Sequence, residues 1–464
     1  MMRMSQAAQA LGAQYSGDDA EFDAVCTDSR ALKRGDLFVA LKGERFDAHA
    51  FLAQAAAAGA AGALVEQASD LDLPQIVVDD TTRALGQLGN YWRRQFDIPL
   101  IAVTGSNGKT TVKEMLASIL REAVKADAGT DDQDAGVLAT RGNLNNHIGV
   151  PLTLLELRSG HRYAVIEMGM NHAGEISYIT RMAEPSVALI NNAGVAHMEN
   201  LGSAEAIARA KGEIFEGLQA GGTAVINADD TYAPLWRTAA AHARQLEFAL
   251  ETPAAVTATY DVRELTSEIV LKTPLGTARA TVPAPGLHNV KNALAASAAA
   301  TALAVPPATV AAGLARFGGI KGRLQRKAGI KGATLIDDTY NANPDSMRAA
   351  ISVLARAAGE KLLVIGDMGE LGLDAAAMHA QIGTDARVAG IPRLFTLGDL
   401  SAHAARAFGA GARHFERIDE LLDEIRNVLG PGVTMLVKGS RSMQMERVIH
   451  PFELASTVTA AGAH

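Results

Sequence analysis

The residues best suited to chemistry stand together in one octapeptide, Thr104-Gly105-Ser106-Asn107-Gly108-Lys109-Thr110-Thr111. An apolar run, Pro99 to Val103, precedes it, and an amphipathic stretch, Val112 to Leu120, follows. That order reads as strand, glycine turn, helix. Backbone N–H groups at such a turn converge on an anion, and the helix N-terminus adds the positive end of its dipole. Lys109 supplies a point charge for β- and γ-phosphates, and the Thr110 hydroxyl suits Mg²⁺. Gly105, Ser106, Asn107, Gly108, Lys109, Thr110 and Thr111 are therefore the expected cradle of a nucleoside triphosphate. The general pattern G-x-x-x-x-G-K-[ST] would place its first glycine at position 103, where this chain has Val103. The blander reading is a Gly-rich turn before an ordinary helix.

Lys211 is the next most unusual residue. Ser203 to Gln219 reads as a helix with Ser203 as its N-cap and Glu205 in its first turn. Its apolar stripe is Ile207, Ile214, Phe215 and Leu218, and Lys211 falls inside that stripe. A buried ammonium needs a partner or a chemical modification. A lysine snorkelling from the edge of the stripe is equally compatible with the pattern. Glu167 and His197 each follow a predicted strand of one sheet. A carboxylate and an imidazole there could complete a Mg²⁺ shell beside a triphosphate. Asn289 and Asn292 lie three apart on one helix face beside His288. They could bracket a base or ribose, although such a pair can also simply cap a helix start.

These residues need elements to position them, and the chain divides into three blocks. Residues 1–98 mix short strands (Leu37 to Leu41, Ile76 to Val78) with helical stretches (Phe51 to Ala58, Thr82 to Gln95). Residues 99–317 contain the glycine turn and the β-like runs Ala164 to Ile166, Val187 to Ile190 and Ala224 to Ile226. Each run ends in polar or glycine residues, and helical segments lie between them. Such alternation predicts a mostly parallel sheet covered by helices. Ligands sit at the carboxyl ends of strands in sheets of this kind. A helix from His288 to Leu303 ends at Pro306-Pro307, and Phe317 to Gly322 reads as a hinge. Residues 318–464 then repeat the pattern with Thr334 to Ile336, Leu362 to Ile365, Leu394 to Leu397 and Met435 to Val437, which predicts a second doubly wound α/β domain. Asn343 suits a helix N-cap and Pro344 the first helical position. The run Asp337 to Pro344 is more polar than a turn requires, and Arg323, Lys438, Ser440 and Arg441 add cationic and polar donors nearby. The acidic segment Asp127 to Asp134 reads as a solvated loop.

At 464 residues the chain needs more than one core. A net charge of −8 without any Lys/Arg run argues against a nucleic-acid partner. One cysteine, Cys26, excludes an intramolecular disulfide framework and fits a reducing compartment. The first residues lack a signal-peptide pattern, and no stretch of 18 apolar residues predicts a membrane span.

Taken together, these segments resemble the ATP-dependent Mur ligases of peptidoglycan synthesis. The matching stretches run in order along nearly the whole chain. They are Thr27-Asp28-Ser29-Arg30, Gly35 to Phe51, the glycine turn, Arg141 to Pro151, Glu167 to Ile176, Asn192 to Leu201, Ala210 to Ile214, His288 to Leu294, Asp337 to Pro344, Gly366 to Gly372 and Lys438 to Arg441. The resemblance implies three α/β domains: an N-terminal UDP-sugar-binding domain, a central ATPase and a C-terminal Rossmann-like domain that takes the incoming amine. Within the family, Tyr340, Asn341 and Asn343 match the branch that adds D-alanyl-D-alanine to UDP-MurNAc-tripeptide. The Asp-Asn-Pro-Arg motif of the sister branch that adds the third residue is absent. A folylpolyglutamate synthetase would lack an N-terminal block of this kind, and a switch ATPase would have no use for the third block's polar clusters.

What the family's motifs imply falls on these positions. Thr110 and Glu167 would hold Mg²⁺, His197 a second metal or the transferred phosphate, and Lys211 would be the carbamylated lysine, another metal ligand. Asn289 and Asn292 would approach adenine, while Arg323 and Asp338 would reach across from the third block. Ser29 and Arg30 would contact the UDP moiety, and Asn145 and Asn146 the muramoyl substrate. A cytoplasmic monomer without membrane insertion is expected.

Overall fold

The computed structural model describes residues 1–43, 46–128, 136–194, 201–264 and 266–454. The N-terminal block builds a five-stranded sheet from β1 (Gln14–Ser16), β2 (Ala24–Cys26), β3 (Asp36–Val39), β4 (Gly62–Val65) and β5 (Gln75–Val77), in the order β1-β5-β4-β3-β2. Only the β1–β5 pairing is antiparallel. Helix α1 (Thr81–Arg93) leads out of this block, capped by the Asp80 carboxylate on the Arg83 N–H.

The central sheet contains β6 (Leu100–Thr104), β7 (Val137–Ala139), β8 (Tyr163–Glu167), β9 (Val187–Ile190), β10 (Thr223–Asn227) and β11 (Arg244–Phe248), ordered β11-β10-β9-β6-β8-β7 and parallel throughout. Its strands are apolar on both faces because both faces are covered. Ile101, Val103, Val165 and Leu189 pack against α2 (Lys109–Ala128). Leu100, Ala102, Ile166 and Ile190 pack on the other side against Ile207, Ile214 and Phe215, from α3 (Ala204–Gly212) and the 3-10 turn after it. The register sets Glu167 beside Val103 and Ile190 beside Thr104, so the carboxyl ends of β8, β6 and β9 open onto one edge. That edge is where the glycine turn begins.

Two features differ from the sequence reading. The predicted helix Ser203 to Gln219 is α-helical only to Gly212 and continues as a 3-10 turn over Glu213–Gly217, although Ser203 does cap it by accepting the Ala206 N–H. A three-stranded antiparallel sheet was not anticipated at all. Its strands are β12 (Thr257–Val262), β13 (Ser267–Thr273) and β14 (Gly276–Val282). The acidic run Asp127 to Asp134 begins at the end of α2, and its remainder lies outside the described residues.

Helix α4 (Leu287–Ala302) and the helix Pro307–Ala315 after it close the central block. The third block orders β15 (Gln325–Ala328), β16 (Thr334–Asp338), β17 (Glu360–Gly366), β18 (Arg393–Leu397), β19 (Ala412–Phe415) and β20 (Val433–Lys438) as β15-β16-β20-β17-β18-β19. All pairs but β15–β16 are parallel. Helix α5 (Pro344–Arg356) follows β16, and Asn343 caps it through a reciprocal pair with Ser346, with Pro344 in the first turn, as the sequence predicted.

Asn90, Trp92 and Arg93 of α1, and Arg94 at its end, all bond from the first block to the central one, and Arg93 is the more buried of the two charged ones. Arg93, only 3% exposed, donates from Nε to the Ala183 carbonyl at 3.1 Å, from Nη1 to Phe96 at 2.6 Å and from Nη2 to Ile98 at 3.1 Å. It thereby satisfies two carbonyls of the extended connection after α1 and one at the C-terminal end of the helix Glu175–Ala183. Replacing Arg93 with Met keeps the bulk and orphans all three. Each unsatisfied buried group costs about 1–3 kcal/mol, so the loss should reach at least about 3 kcal/mol. Denaturant unfolding of Arg93→Met checks this, and an unchanged midpoint would contradict it.

Candidate active site

A cleft of about 910 Å³ lies where the carboxyl ends of the central and third sheets face one another. Its floor is the glycine turn. Gly108 has φ of +78°, a conformation that side-chain-bearing residues rarely adopt, and a Cβ there would lie 2.3 Å from Asn292 Oδ1 and 2.6 Å from Asn191 Nδ2. Glycine is thus required both by conformation and by space. Asn192 and Asn191 hold the turn in shape. The Asn107 N–H donates to Asn192 Oδ1 at 2.8 Å, and the Asn107 carbonyl accepts from Asn191 Nδ2 at 2.9 Å and Asn192 Nδ2 at 3.0 Å.

Lys109 folds back so that Nζ donates to the Gly105 carbonyl at 2.7 Å. Enclosure by protein pushes its pKa down, and the nearby Glu167 carboxylate opposes that shift. Glu167 itself is 2% exposed. Its Oε1 accepts from Asn145 Nδ2 at 2.8 Å, while its buried Oε2 has no partner. An orphaned carboxylate oxygen inside a cleft that also holds the Thr110 hydroxyl fits a hard, oxygen-seeking cation. Among the described residues no three His, Cys, Asp or Glu side chains form a metal cluster.

The third block reaches into the same place. Arg323 Nη2 donates to Thr110 Oγ1 at 3.0 Å, and its guanidinium lies 4.1 Å from the centre of the Tyr340 ring. Asn343 Nδ2 donates to Asn107 Oδ1 at 2.8 Å. Asp338 accepts the Leu324 N–H at 3.1 Å and pairs with Lys438 at 2.7 Å. Burial raises its pKa and Lys438 works against the rise. Lys438 also donates to the Asn341 carbonyl at 2.8 Å. His288, between the two blocks, is pushed down to about 4 by burial and by Lys438, so the imidazole is neutral at physiological pH.

Most sequence-predicted residues converge on this cleft. Ser106, Asn145, Asn146, Asn289, Asn292, Tyr340, Asn341 and Thr111 all line it. Asn292 spends its amide within the protein: Oδ1 accepts from Asn191 and Nδ2 donates to Asn289 Oδ1. Asn289 donates to the Pro285 carbonyl. Lys211 is 1% exposed, which excludes the snorkelling alternative. Burial and the like charge of Lys109 push its pKa well below the ordinary lysine value. Gly105, Lys211, Ser29 and Arg30 are not part of the cleft lining. Ser29 Oγ donates to Gln54 at 3.2 Å, and Arg30 forms a bidentate pair with Asp28 on the surface of the first block. His197 lies outside the described residues. Asn191 and Asn192 were not singled out as site residues. Their signals were a polar cluster directly after a strand and, for Asn192, its place at the start of a stretch that matches the family.

Comparison with known proteins agrees with this arrangement. Three family models match in order: the Mur ligase family catalytic domain over residues 21–94, the Mur ligase middle domain over 103–300, and the Mur ligase glutamate ligase domain over 322–441. The chain belongs to the Mur ligase family. It is 42% identical over 457 residues to the UDP-N-acetylmuramoyl-tripeptide–D-alanyl-D-alanine ligase of Escherichia coli (strain K12), covering 97% of this chain and 98% of that one. Among solved structures it is similar to MurF from Acinetobacter baumannii, with 39% identity, a TM-score of 0.90 and coverage of 97% and 98%. It is also similar to the MurF ligase of Thermotoga maritima in complex with ADP, with 26% identity, a TM-score of 0.79 and coverage of 92% and 96%.

Proposed function

We infer that this chain is an ATP-dependent ligase that joins D-alanyl-D-alanine to UDP-N-acetylmuramoyl-tripeptide, giving the pentapeptide precursor of peptidoglycan. The observation that carries this is the contact of the third block with the glycine turn, Arg323 on Thr110 and Asn343 on Asn107. A protein that only hydrolysed ATP would have no need of a second polar sheet edge over the phosphates. A ligase must bring an amine acceptor and an activated carboxylate to one point.

The terminal carboxylate of the tripeptide attacks the γ-phosphorus of ATP. The bond to the β-phosphate bridging oxygen breaks, and an acyl phosphate and ADP result. The amine of the dipeptide then adds to the acyl carbon, loses a proton, and phosphate departs from the tetrahedral intermediate. Both steps demand placement and charge neutralisation more than covalent help from the protein. Lys109 neutralises the β- and γ-phosphates, the backbone N–H groups of residues 105–111 cradle them, and Arg323 brings a second cation from the third block. Thr110 and Glu167 would hold Mg²⁺, whose charge would neutralise phosphate oxygens. We assign Lys211 as a carbamylated residue. The neutral amine that burial favours can add to CO₂ and lose a proton, which leaves an anion where an ammonium is disfavoured. His197 would serve the same region.

Asn289 and Asn292 would border the adenine, and Asp338 would fix Arg323's segment through Leu324. Ser29 and Arg30 would meet the UDP moiety at the surface of residues 1–98. Asn145 and Asn146 would lie beside the muramoyl peptide in residues 99–317. Tyr340, Asn341 and Asn343 would face the dipeptide side in residues 318–464. Every assigned group comes from one chain, so a monomer suffices. Among the described residues no helix is long and apolar enough to cross a membrane, and a cytoplasmic location suits a chain with ATP as co-substrate and a single free thiol.

Phosphate release under omission of single substrates tests the reading. Release should require ATP, the UDP-tripeptide and the dipeptide together, with single amino acids a poor replacement for the dipeptide. Release with neither peptide substrate present would place the chain among switch ATPases instead.

A further inference from the structure

Lys113 lies one turn beyond Lys109 in α2, is 1% exposed, and takes no part in the phosphate cradle. Its ammonium donates to the Thr140 carbonyl at 2.7 Å and to the Glu114 carboxylate. Removing an ammonium from water costs several kcal/mol before any partner is counted, and an apolar side chain of similar volume would fill the space without that cost. Packing alone therefore does not account for a lysine here.

Thr140 gives the lysine a purpose. It follows β7, its N–H donates to the Val165 carbonyl of β8 at 3.0 Å, and its hydroxyl accepts the Glu167 N–H at 2.9 Å. The loop that leaves Thr140 carries Asn145, which donates to Glu167 Oε1 and accepts the Gly169 N–H at 2.8 Å through its carbonyl. Both the backbone and the carboxylate of Glu167 thus depend on Thr140 and its loop. Thr140 in turn is tied to α2 through Lys113, and α2 begins with Lys109 and Thr110.

We propose that Lys113 is a positioning residue that sets the spacing between the two halves of the cation site, the Thr110 hydroxyl at the start of α2 and the Glu167 carboxylate at the end of β8. The proposal rests on the reading of Glu167 as a Mg²⁺ ligand. Lys113 acts through Thr140 and touches neither nucleotide nor reacting atoms.

The test uses the full chain with Lys113→Met. Calorimetry measures ADP binding with and without Mg²⁺, and kcat is followed against Mg²⁺ concentration. Metal-free ADP should bind as it does to the wild type. The gain in ADP affinity that Mg²⁺ confers should shrink by about tenfold, the effect typical of losing a group that orients a metal ligand. Half-saturating Mg²⁺ should rise in step, whatever the change in Tm, and Lys113→Arg should restore part of the gain. A lower Tm with an unchanged Mg²⁺ gain would mean a merely structural lysine and would overturn the proposal. If Lys113→Met does not fold, Thr140→Val keeps the carbonyl that Lys113 holds but removes the next link in the chain, the hydroxyl that accepts the Glu167 N–H, with little change of shape. It should show the same loss of Mg²⁺ gain, and a wild-type gain there would also reject the proposal. Glu167→Gln separates the two levels. If it keeps the Mg²⁺ gain, the metal reading falls and the proposal with it. If it abolishes the gain while Lys113→Met does not, only the role of Lys113 is refuted.

Discussion

Lys109→Ala should lose about a thousandfold or more in kcat while its melting temperature stays close to the wild type. The expectation follows from where the ammonium sits. It is reachable from the cleft yet enclosed by protein, with Nζ on the Gly105 carbonyl and Glu167 near enough to oppose its deprotonation. In such surroundings a fixed cation acts on transferred phosphoryl charge with little solvent screening. Loss of one preorganised electrostatic group typically costs about 10²–10³ in rate, and the cationic groups of phosphoryl transfer reach about 10³–10⁵. Folding gains little from the same ammonium, because enclosure disfavours its charge. Single-turnover phosphate release alongside thermal unfolding makes the comparison. Wild-type turnover in a folded Lys109→Ala protein would remove the phosphate-cradle assignment.

Lys211→Ala should be comparably inactive, and acetate or formate should restore part of the activity. Lys211 is nearly fully buried in the segment that also buries Ile207, Ile214 and Phe215, and the charge acting on it is the like charge of Lys109. An ammonium there is unfavourable on both counts. A carbamate reverses the sign, so that Lys109 gains an opposite charge and the site gains oxygen donors for Mg²⁺. Truncation to Ala removes the carboxylate-bearing arm and leaves room for a small free carboxylate. Initial rates over a range of acetate and formate concentrations, with chloride as control, read out the rescue. A folded variant that neither anion revives would contradict the carbamate assignment.

The parts legible in the sequence were those whose chemistry is local. Eight residues carry the glycine turn, the lysine and the hydroxyl, and the strand before them and the helix after them could be read from apolar runs. Lys211 stood out because it interrupts an apolar stripe, and the structure resolves the choice that the stripe left open. Asn343 and Pro344 were readable as a helix start for the same local reason. The contact of Asn343 with Asn107 was not readable, since it spans 236 residues and depends on how two sheets face each other. Lys113 was hidden inside an amphipathic stretch whose period says which face is buried but not what a buried lysine meets. The antiparallel sheet was missed because none of its strands buries a continuous run, and the middle one buries alternate residues. Ser267, Ile269, Leu271 and Thr273 point inward while Lys272 is exposed, so no continuous apolar run marks them.

The most direct test of the ligase mechanism follows an oxygen atom. UDP-MurNAc-tripeptide labelled with ¹⁸O in its terminal carboxylate is incubated with the enzyme, ATP, Mg²⁺ and D-alanyl-D-alanine, and the released phosphate is analysed by mass spectrometry. If the carboxylate is activated as an acyl phosphate, each phosphate formed with pentapeptide carries one ¹⁸O, and no labelled phosphate appears when the tripeptide is withheld. Pentapeptide accompanied by unlabelled phosphate, or phosphate release indifferent to both peptide substrates, would contradict the account.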